Sequence, residues 1–301
     1  MKKFILYISV TVFVYFFLLE ITTRVFDLSG HTLPEYNLNN NKLLRPGAEG
    51  IKVQGGMREV ASHYKINQQG FNSLKDYTTL DENKISIAII GDSYIQGLQV
   101  DVENSIGRIL EAETQNKVEV HEYAKAGMNI VDFSSIFTQF IKNRYDYTFI
   151  LATDKDIVLK KASAMGKGNK IPKNSIMREL YDRSSLIRYL NINHKLSVKI
   201  KKTVSFFKKT NKQQNKITAI DVNVQALKQF DSTCVFLYEK GKLDTSLIVP
   251  FKLPIIEVKP IHTPINHGFD SHWNLNGRKN CALAIQNYIE KINPKVEIIL
   301  E

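Results

Sequence analysis

The longest hydrophobic feature of the chain lies at its start. After Met1-Lys2-Lys3, an apolar run extends from Phe4 to Leu19, broken only by Ser9 and Thr11 and closed by Glu20. As a helix this run spans ~24 Å, slightly less than a ~30 Å hydrocarbon core. Ile21 to Thr23 and snorkelling of Lys2 and Lys3 complete a crossing. The pattern predicts a single membrane span, with residues 1–23 as the anchor. A cleaved signal peptide and a buried core helix are the alternatives, and the former needs a small-x-small cleavage site for which ITTRVFDLSG offers no convincing candidate.

Residues 24–84 read as a linker and a small strand-containing lead-in: HTLPEYNLNNNKLLRPGAEG is polar and turn-rich, and YKINQQGFNS alternates briefly before Gly70. From Ile85 the pattern becomes regular. ISIAII is a short continuous apolar run ending at Gly91, as expected of a strand buried on both faces of a parallel sheet. Asn104 is placed to cap a helix with Ile106, Ile109, Leu110 and Glu113 on successive turns, KVEVHEYA forms a second strand, and Asp132 is placed to cap a helix bearing Phe133, Ile136, Phe137, Phe140 and Ile141. YTFILAT is a third strand. After an interruption come a helix (VNVQALKQF), a strand (TCVFLY), an irregular stretch with Pro250, Pro254, Pro260 and Pro264, a helix from about Asn276 to Ile292 with Ala282, Ile285, Ile289 and Ile292 on one face, and a terminal VEIIL strand. Alternating strands and helices predict an α/β three-layer sandwich with a mostly parallel central sheet over residues 85–301.

Charge changes this picture in one place. The 301-residue chain carries 41 Lys+Arg and 30 Asp+Glu, a formal +11. Lys155 to Lys216 holds 17 of those basic residues against Asp156, Glu179 and Asp182, leaving the rest of the chain slightly acidic. The surplus is therefore a basic insert at about 155–216, containing the helical pattern SIMRELYDRSSLIRYL and the polar run VKIKKTVSFFKKTNKQQNK. It is rich in lysine and sparse in aromatics, unlike a base-stacking platform, and no nucleic-acid partner is expected. A solvated helix face is the plain reading; a lid or docking surface for anionic lipid or glycan is the sharper one. A 43% hydrophobic fraction excludes wholesale disorder and a polytopic membrane protein. Lys2 and Lys3 against Arg24, flanked by Glu20 and Asp27, place the N-terminus in the cytoplasm and the globular part on the periplasmic or extracellular side.

Sites in open parallel sheets form at the carboxyl ends of strands. The first strand ends in Gly91-Asp92-Ser93, and a serine at this turn can present its hydroxyl and backbone N–H near a helix terminus. Asp92 or Ser93 merely capping the next helix is the alternative. HGFDSHWNLNG, before the last helix, carries Asp270 and His272, a candidate orienting carboxylate and a candidate base for a serine nucleophile. Trp273, the only tryptophan, is read as packing. His262 and His267 lack metal-ligand spacing, and Cys234 and Cys281 suit small buried apolar residues, so no metal and no cofactor is expected.

In these blocks the sequence resembles the SGNH (GDSL-type) hydrolase superfamily, in particular its membrane-anchored bacterial members. INQQGFNS is similar to their lead-in, IAIIGDSYIQGLQVDVENS to their nucleophile block, YAKAGMN to their glycine block, and DSHWNLNG to their Asp-x-His-Trp-Asn ending. The resemblance implies a flavodoxin-like sandwich, with Ser93 as nucleophile, His272 as base, Asp270 as its orienter, and the N–H groups of Ser93 and Gly127 as oxyanion-hole donors. It also implies an ester hydrolase or O-acyl (acetyl) transferase acting on an acylated envelope carbohydrate. One block departs from the pattern: the family's oxyanion-hole asparagine is not evident after YTFILAT, where Thr153, Asp154, Lys155 and Asp156 stand instead. A carboxylate at Asp154 repels an oxyanion, while the Thr153 hydroxyl or Lys155 ammonium has a proton to donate. A lost side-chain donor costs ~3 to 4 kcal/mol of transition-state stabilisation. A catalytically weak or inactive protein that binds a glycan or assembly partner is the alternative function.

Overall fold

The computed structural model describes residues 1–38, 41–158, 176–196, 199, 219–259 and 272–293. Asp270, His262, His267, Pro260, Pro264 and the terminal VEIIL segment lie outside them. The chain divides into two compact units, one of Met1–Thr32, Gly50–Ala61 and the described part of Asn169–Asn215, the other of Leu33–Glu49, Ser62–Gly168 and Lys216–Glu301.

In chain order, α1 (Lys2–Val25) is followed by β1 (Glu35–Leu38) and β2 (Asn41–Leu44), an antiparallel pair, and by β3 (Glu49–Gln54) and β4 (Val60–Lys65), a second pair. β4 alternates buried and less buried residues but overlaps the stretch YKINQQGFNS, where alternation was expected, only at Tyr64 and Lys65. Next come β5 (Ile85–Gly91), α2 (Ser93–Gln96), α3 (Ile106–Glu113), β6 (Val118–Ala124), α4 (Ile130–Ile136), β7 (Tyr147–Leu151) and α5 (Asp154–Val158). Then follow α6 (Ile176–Arg183), α7 (Ser185–His194), α8 (Ala219–Leu227), β8 (Cys234–Glu239), β9 (Ile255–Val258) and α9 (Leu275–Ile292).

The central sheet has the order β6-β5-β7-β8-β9, and every pairing in it is parallel. Among the described residues it is five-stranded. Continuous apolarity of ISIAII has the expected cause: Ile87 and Ile89 pack into one cluster with α3 and α9, while Ala88 and Ile90 pack into the other with α4 and α8. Period-two alternation of side chains sends successive residues to opposite layers, so no position on β5 can be polar without burial. The layer against α9 contains Phe149, Leu237, Cys281, Ala282, Ile285 and Ile289; the opposite layer contains Phe133, Ile136, Phe137, Phe236 and Cys234. Both cysteines are free and buried, as their spacing suggested. Because α3 and α4 lie on opposite faces, the chain reverses direction between β5 and β7. In open parallel sheets sites form at such a switch point, which here falls at the carboxyl end of β5.

Several local expectations need correction. Ser105, not Asn104, caps α3, its hydroxyl accepting from Arg108 N at 3.3 Å; Asn104 ends a short 3-10 turn. Asn129, not Asp132, caps α4: its side chain accepts from Val131 N and Asp132 N, and the Asp132 carboxylate accepts from Asn129 N at 3.0 Å, a reciprocal capping box. The Asp132 side chain looked like a cap because it performs half of one. The helix then widens into a π turn over Phe137–Ile141. The proline-bearing stretch read as irregular contains β9, which starts directly after Pro254 and extends the sheet beyond β8. Proline is tolerated there because it precedes the strand. On α9, Ala282, Ile285 and Ile289 are buried as expected, but Ile292 is exposed. SIMRELYDRSSLIRYL is two helices, broken at Ser184, whose hydroxyl accepts from Ile187 N at 3.1 Å and caps α7.

In the first unit, α1 is long and apolar enough to cross a membrane, and its window of highest hydropathy is wholly unburied. Its carboxyl end is not bare. Glu20 accepts from Ser184 Oγ at 2.7 Å, Leu186 N at 2.9 Å and Ser185 N at 3.0 Å, while Ser29 and Ser185 share a buried hydroxyl pair at 2.8 Å. Arg24 pairs with Glu20 and also donates to the Arg183 carbonyl. Tyr189 donates to the Gly56 carbonyl at 3.3 Å.

Candidate active site

The turn after β5 is built around small residues and one carboxylate. A Cβ on Gly91 would sit 2.3 Å from the Ile95 side chain, so only glycine lets α2 fold back onto the strand. Asp92 accepts from Tyr94 N at 3.0 Å and caps α2, which makes Ser93 the first helical residue. The plain capping role weighed from the sequence is therefore real, but it belongs to Asp92 and leaves the Ser93 hydroxyl available. Gly97 ends the helix in the left-handed conformation at φ +60°, and a Cβ there would collide with the Arg278 guanidinium.

His272 reaches this turn from the segment before α9. Its Nε2 lies 2.7 Å from Ser93 Oγ, whereas the Asp92 carboxylate is farther from that oxygen, at 3.4 Å. The imidazole also packs on Tyr94, ring centroids 4.9 Å apart, and Trp273 meets the same Tyr94 edge-on at 5.3 Å. Trp273 is buried and its indole N–H donates to Glu239, at the end of β8, at 3.2 Å. Its packing role is thus visible. The rest of the motif has equally local causes: Asn274 caps α9 by accepting from Gly277 N at 3.1 Å, and Gly277 is small because a Cβ would lie 2.7 Å from that of Trp273. Asp270 lies outside the described residues.

Gly127 has φ +83°, in the loop between β6 and α4, and a Cβ there would meet nothing within 4 Å. Its requirement for glycine is conformational rather than spatial, since side chains rarely adopt this region. The loop is tied to the Ser93 turn by Gln96, whose side-chain oxygen accepts from Ala126 N at 3.0 Å. Asn72 of the lead-in donates to the Gln96 carbonyl at 2.9 Å. These two buried amides were not singled out in the sequence; a Gln and an Asn without periodic neighbours carry no signal until the elements they join are known.

After β7, Thr153 and Asp154 both have other partners. The Thr153 hydroxyl donates to Asp156 Oδ2 at 2.7 Å, and Thr153 N to the same oxygen at 2.8 Å. The Asp154 carboxylate accepts from Asp244 N at 2.7 Å, and its N–H donates to the Lys242 carbonyl at 2.8 Å. The Thr153 side chain closes its own turn, and the Asp154 side chain ties that turn to the loop after β8.

Burial raises the pKa of Asp156 to about 6, with the Asp92 charge adding to the shift. A carboxyl raised in the folded state holds its proton there more tightly than in the unfolded chain. Its stabilising contribution is complete below the unfolded value, ~4, and is lost as the pH rises through about 6. Two pKa units correspond to ~3 kcal/mol. Asp156→Asn, whose amide oxygen still accepts from Thr153, is expected to flatten this part of the profile and to be the more stable form at neutral pH. Denaturant unfolding of both proteins across the acidic range checks it; parallel profiles would refute the assignment.

No family model and no curated protein matches the sequence. Solved structures to which it is similar are lipolytic and ester-cleaving proteins. They include a member of the lipolytic G-D-S-L family from Veillonella parvula (12% identity, 67% of this chain and 97% of that one, TM-score 0.34). A family two carbohydrate esterase from Clostridium thermocellum in complex with cellohexaose follows (9%, 72% and 67%, TM-score 0.36). A lipase from a goat rumen metagenome is a third (12%, 68% and 97%, TM-score 0.31). At such values the functional reading rests on the site itself. Fold and site define a class, an α/β protein with a serine–histidine pair at the switch point of a parallel sheet.

Proposed function

We propose that the chain is a single-pass, membrane-anchored serine esterase or O-acyltransferase. The contact of 2.7 Å between Ser93 Oγ and His272 Nε2, made by residues 179 positions apart at the carboxyl edge of the sheet, carries this reading. Ser93 Oγ attacks the ester carbonyl carbon while His272 Nε2 accepts its proton, and the tetrahedral oxyanion is held by the N–H groups of Ser93 and Gly127. The intermediate collapses, the proton passes from His272 to the departing alkoxide, and Ser93 carries the acyl group. Water or a sugar hydroxyl then attacks, giving its proton to His272 and restoring Ser93. Asp270 orients the imidazole through its second nitrogen. The substrate is an acylated, in particular acetylated, envelope carbohydrate, in keeping with the resemblance to anchored bacterial SGNH proteins. Residues 4–23 cross the membrane, the N-terminus is cytoplasmic, and the site faces the periplasmic or extracellular side.

One observation favours a second reading, a non-catalytic protein that holds a glycan or partner at the same sheet edge: the side chains of Thr153 and Asp154, the nearest replacements for the third oxyanion donor, are already bonded, to Asp156 and to Asp244 N. A fluorophosphonate probe separates the two. The detergent-solubilised full-length protein is expected to be labelled at Ser93, with release of acetate from acetylated polysaccharide or its transfer to a sugar acceptor. Absence of labelling together with absence of turnover would refute the esterase reading and favour the binding role.

A further inference from the structure

The basic insert is bonded to the end of the membrane anchor. Glu20 is the first charged residue after the apolar run Phe4–Leu19 and sits in the last turn of the 4–23 span, so its carboxylate lies within ~5 Å of where α1 leaves the hydrocarbon. That carboxylate accepts from Ser184 Oγ, Ser185 N and Leu186 N, at 2.7 to 3.0 Å, the first turn of α7. An acidic group at a helix N-terminus satisfies amides that have no partner within the helix. Here that group comes from a residue more than 160 positions away, and it fixes the height of α7 relative to the span.

The position has an electrostatic consequence. Asn169–Asn215 contains twelve basic residues against Glu179 and Asp182. Of the described ones, Arg183 precedes the clasp directly and is strongly exposed, its guanidinium paired at the surface with Glu179 at 2.8 Å, and Lys195 and Lys199 follow α7, also exposed. The ten residues of α7 cover ~15 Å, so whatever the tilt of that helix Arg183 lies within one screening length of the interface (~8 Å at physiological salt) and Lys195 within about two. Cations at this distance from a bilayer interact with anionic headgroups, and each contributes about a fivefold gain in association.

We propose that Arg183, Lys195 and Lys199, held at the anchor exit by Glu20, form an interfacial surface that binds anionic phospholipid headgroups of the leaflet from which α1 emerges. The surface is independent of the ester chemistry. It depends only on α1 being a membrane span.

The test uses full-length protein in nanodiscs of phosphatidylcholine alone or with added phosphatidylglycerol. A fluorophore at His194→Cys, beside the exposed end of α7, is quenched by nitroxide-headgroup lipid; the native cysteines are buried. Quenching is expected to rise with phosphatidylglycerol, to fall at high salt, and to lose ~10²-fold of its preference for anionic lipid in R183Q/K195Q/K199Q. Glu20→Gln should lower quenching in both kinds of disc by loosening the clasp. Equal quenching in neutral and anionic discs, unchanged in the triple variant, would overturn the proposal. So would displacement of the label by inorganic phosphate or by an acidic polysaccharide in discs where phosphatidylglycerol gives no advantage, which would assign the cations to a soluble anion. Esterase activity is scored separately with the Ser93 probe, so either conclusion can fail alone.

Discussion

Ser93→Ala is expected to lower kcat for a short-chain ester by ~10⁶-fold, and His272→Ala by a similar factor. In the proposed mechanism the hydroxyl forms the acyl-enzyme, and without the imidazole it must lose its proton to water. Because the two atoms act as one device, 2.7 Å apart, the double variant should be no worse than either single one. Stopped assays with a chromogenic acetyl ester, on wild type and the three variants in detergent, give the comparison directly. Turnover that survives Ser93→Ala within a factor of ten would place the chemistry elsewhere. Additive losses in the double variant would mean that the serine and histidine do not work together. The residual activity of the variants also measures what the backbone N–H groups contribute alone, which matters in a chain whose Thr153 and Asp154 side chains are occupied by Asp156 and Asp244 N.

Arg278→Met should cost ~3 to 5 kcal/mol of folding stability. Arg278 sits on α9 with 1% exposure, its guanidinium against the backbone of Gly97 and its Nη1 donating to the Asn104 carbonyl at 3.5 Å. Glu122, on β6 and also buried, interacts with it electrostatically and accepts from Ser105 and Gly107. Burial raises the Glu122 pKa, and the Arg278 charge opposes that shift. Removing the cation therefore leaves a buried carboxyl whose ionised form has lost its compensation. The penalty should grow with pH, since a carboxyl raised in the folded state stabilises most while protonated. Replacing both members, Arg278→Met with Glu122→Leu, should recover most of the loss, because neither buried charge then remains. Urea unfolding of the three variants tests this. A single Arg278→Met costing less than ~1 kcal/mol would show that the pair is not coupled. Arg278 also touches the C-cap of α2, so its loss should loosen the Ser93 turn before the sheet yields.

The two local motifs were legible because each residue in them has a short-range reason to be there. Gly91 makes room for Ile95, Asp92 caps, Asn274 caps, and Gly277 makes room for Trp273. The strands were legible because β5 is buried on both faces and is apolar at every position but Ser86, whose buried hydroxyl is satisfied by Asp146. The site's supporting amides were not. Gln96 and Asn72 join the lead-in, the nucleophile helix and the glycine loop across 24 to 30 positions of sequence, and a polar residue satisfied at long range looks like any surface residue. β9 was hidden by its prolines, since the local rule that proline breaks a strand does not say whether the strand begins just after it.

By itself, the sequence determined the alternating α/β pattern, the apolar run at the N-terminus, the concentration of positive charge in one insert, and the serine and histidine that belong to its two glycine-bearing motifs. Each of these is a property of neighbours along the chain: periodicity, turn chemistry, local composition. Tertiary structure decided the rest. It set the strand order, brought Ser93 and His272 within a hydrogen bond, gave the Thr153 and Asp154 side chains partners in Asp156 and Asp244, and joined the insert to the N-terminal helix through Glu20. Those outcomes depend on which polar groups find one another when distant segments are buried together, and spacing along the chain carries no record of that.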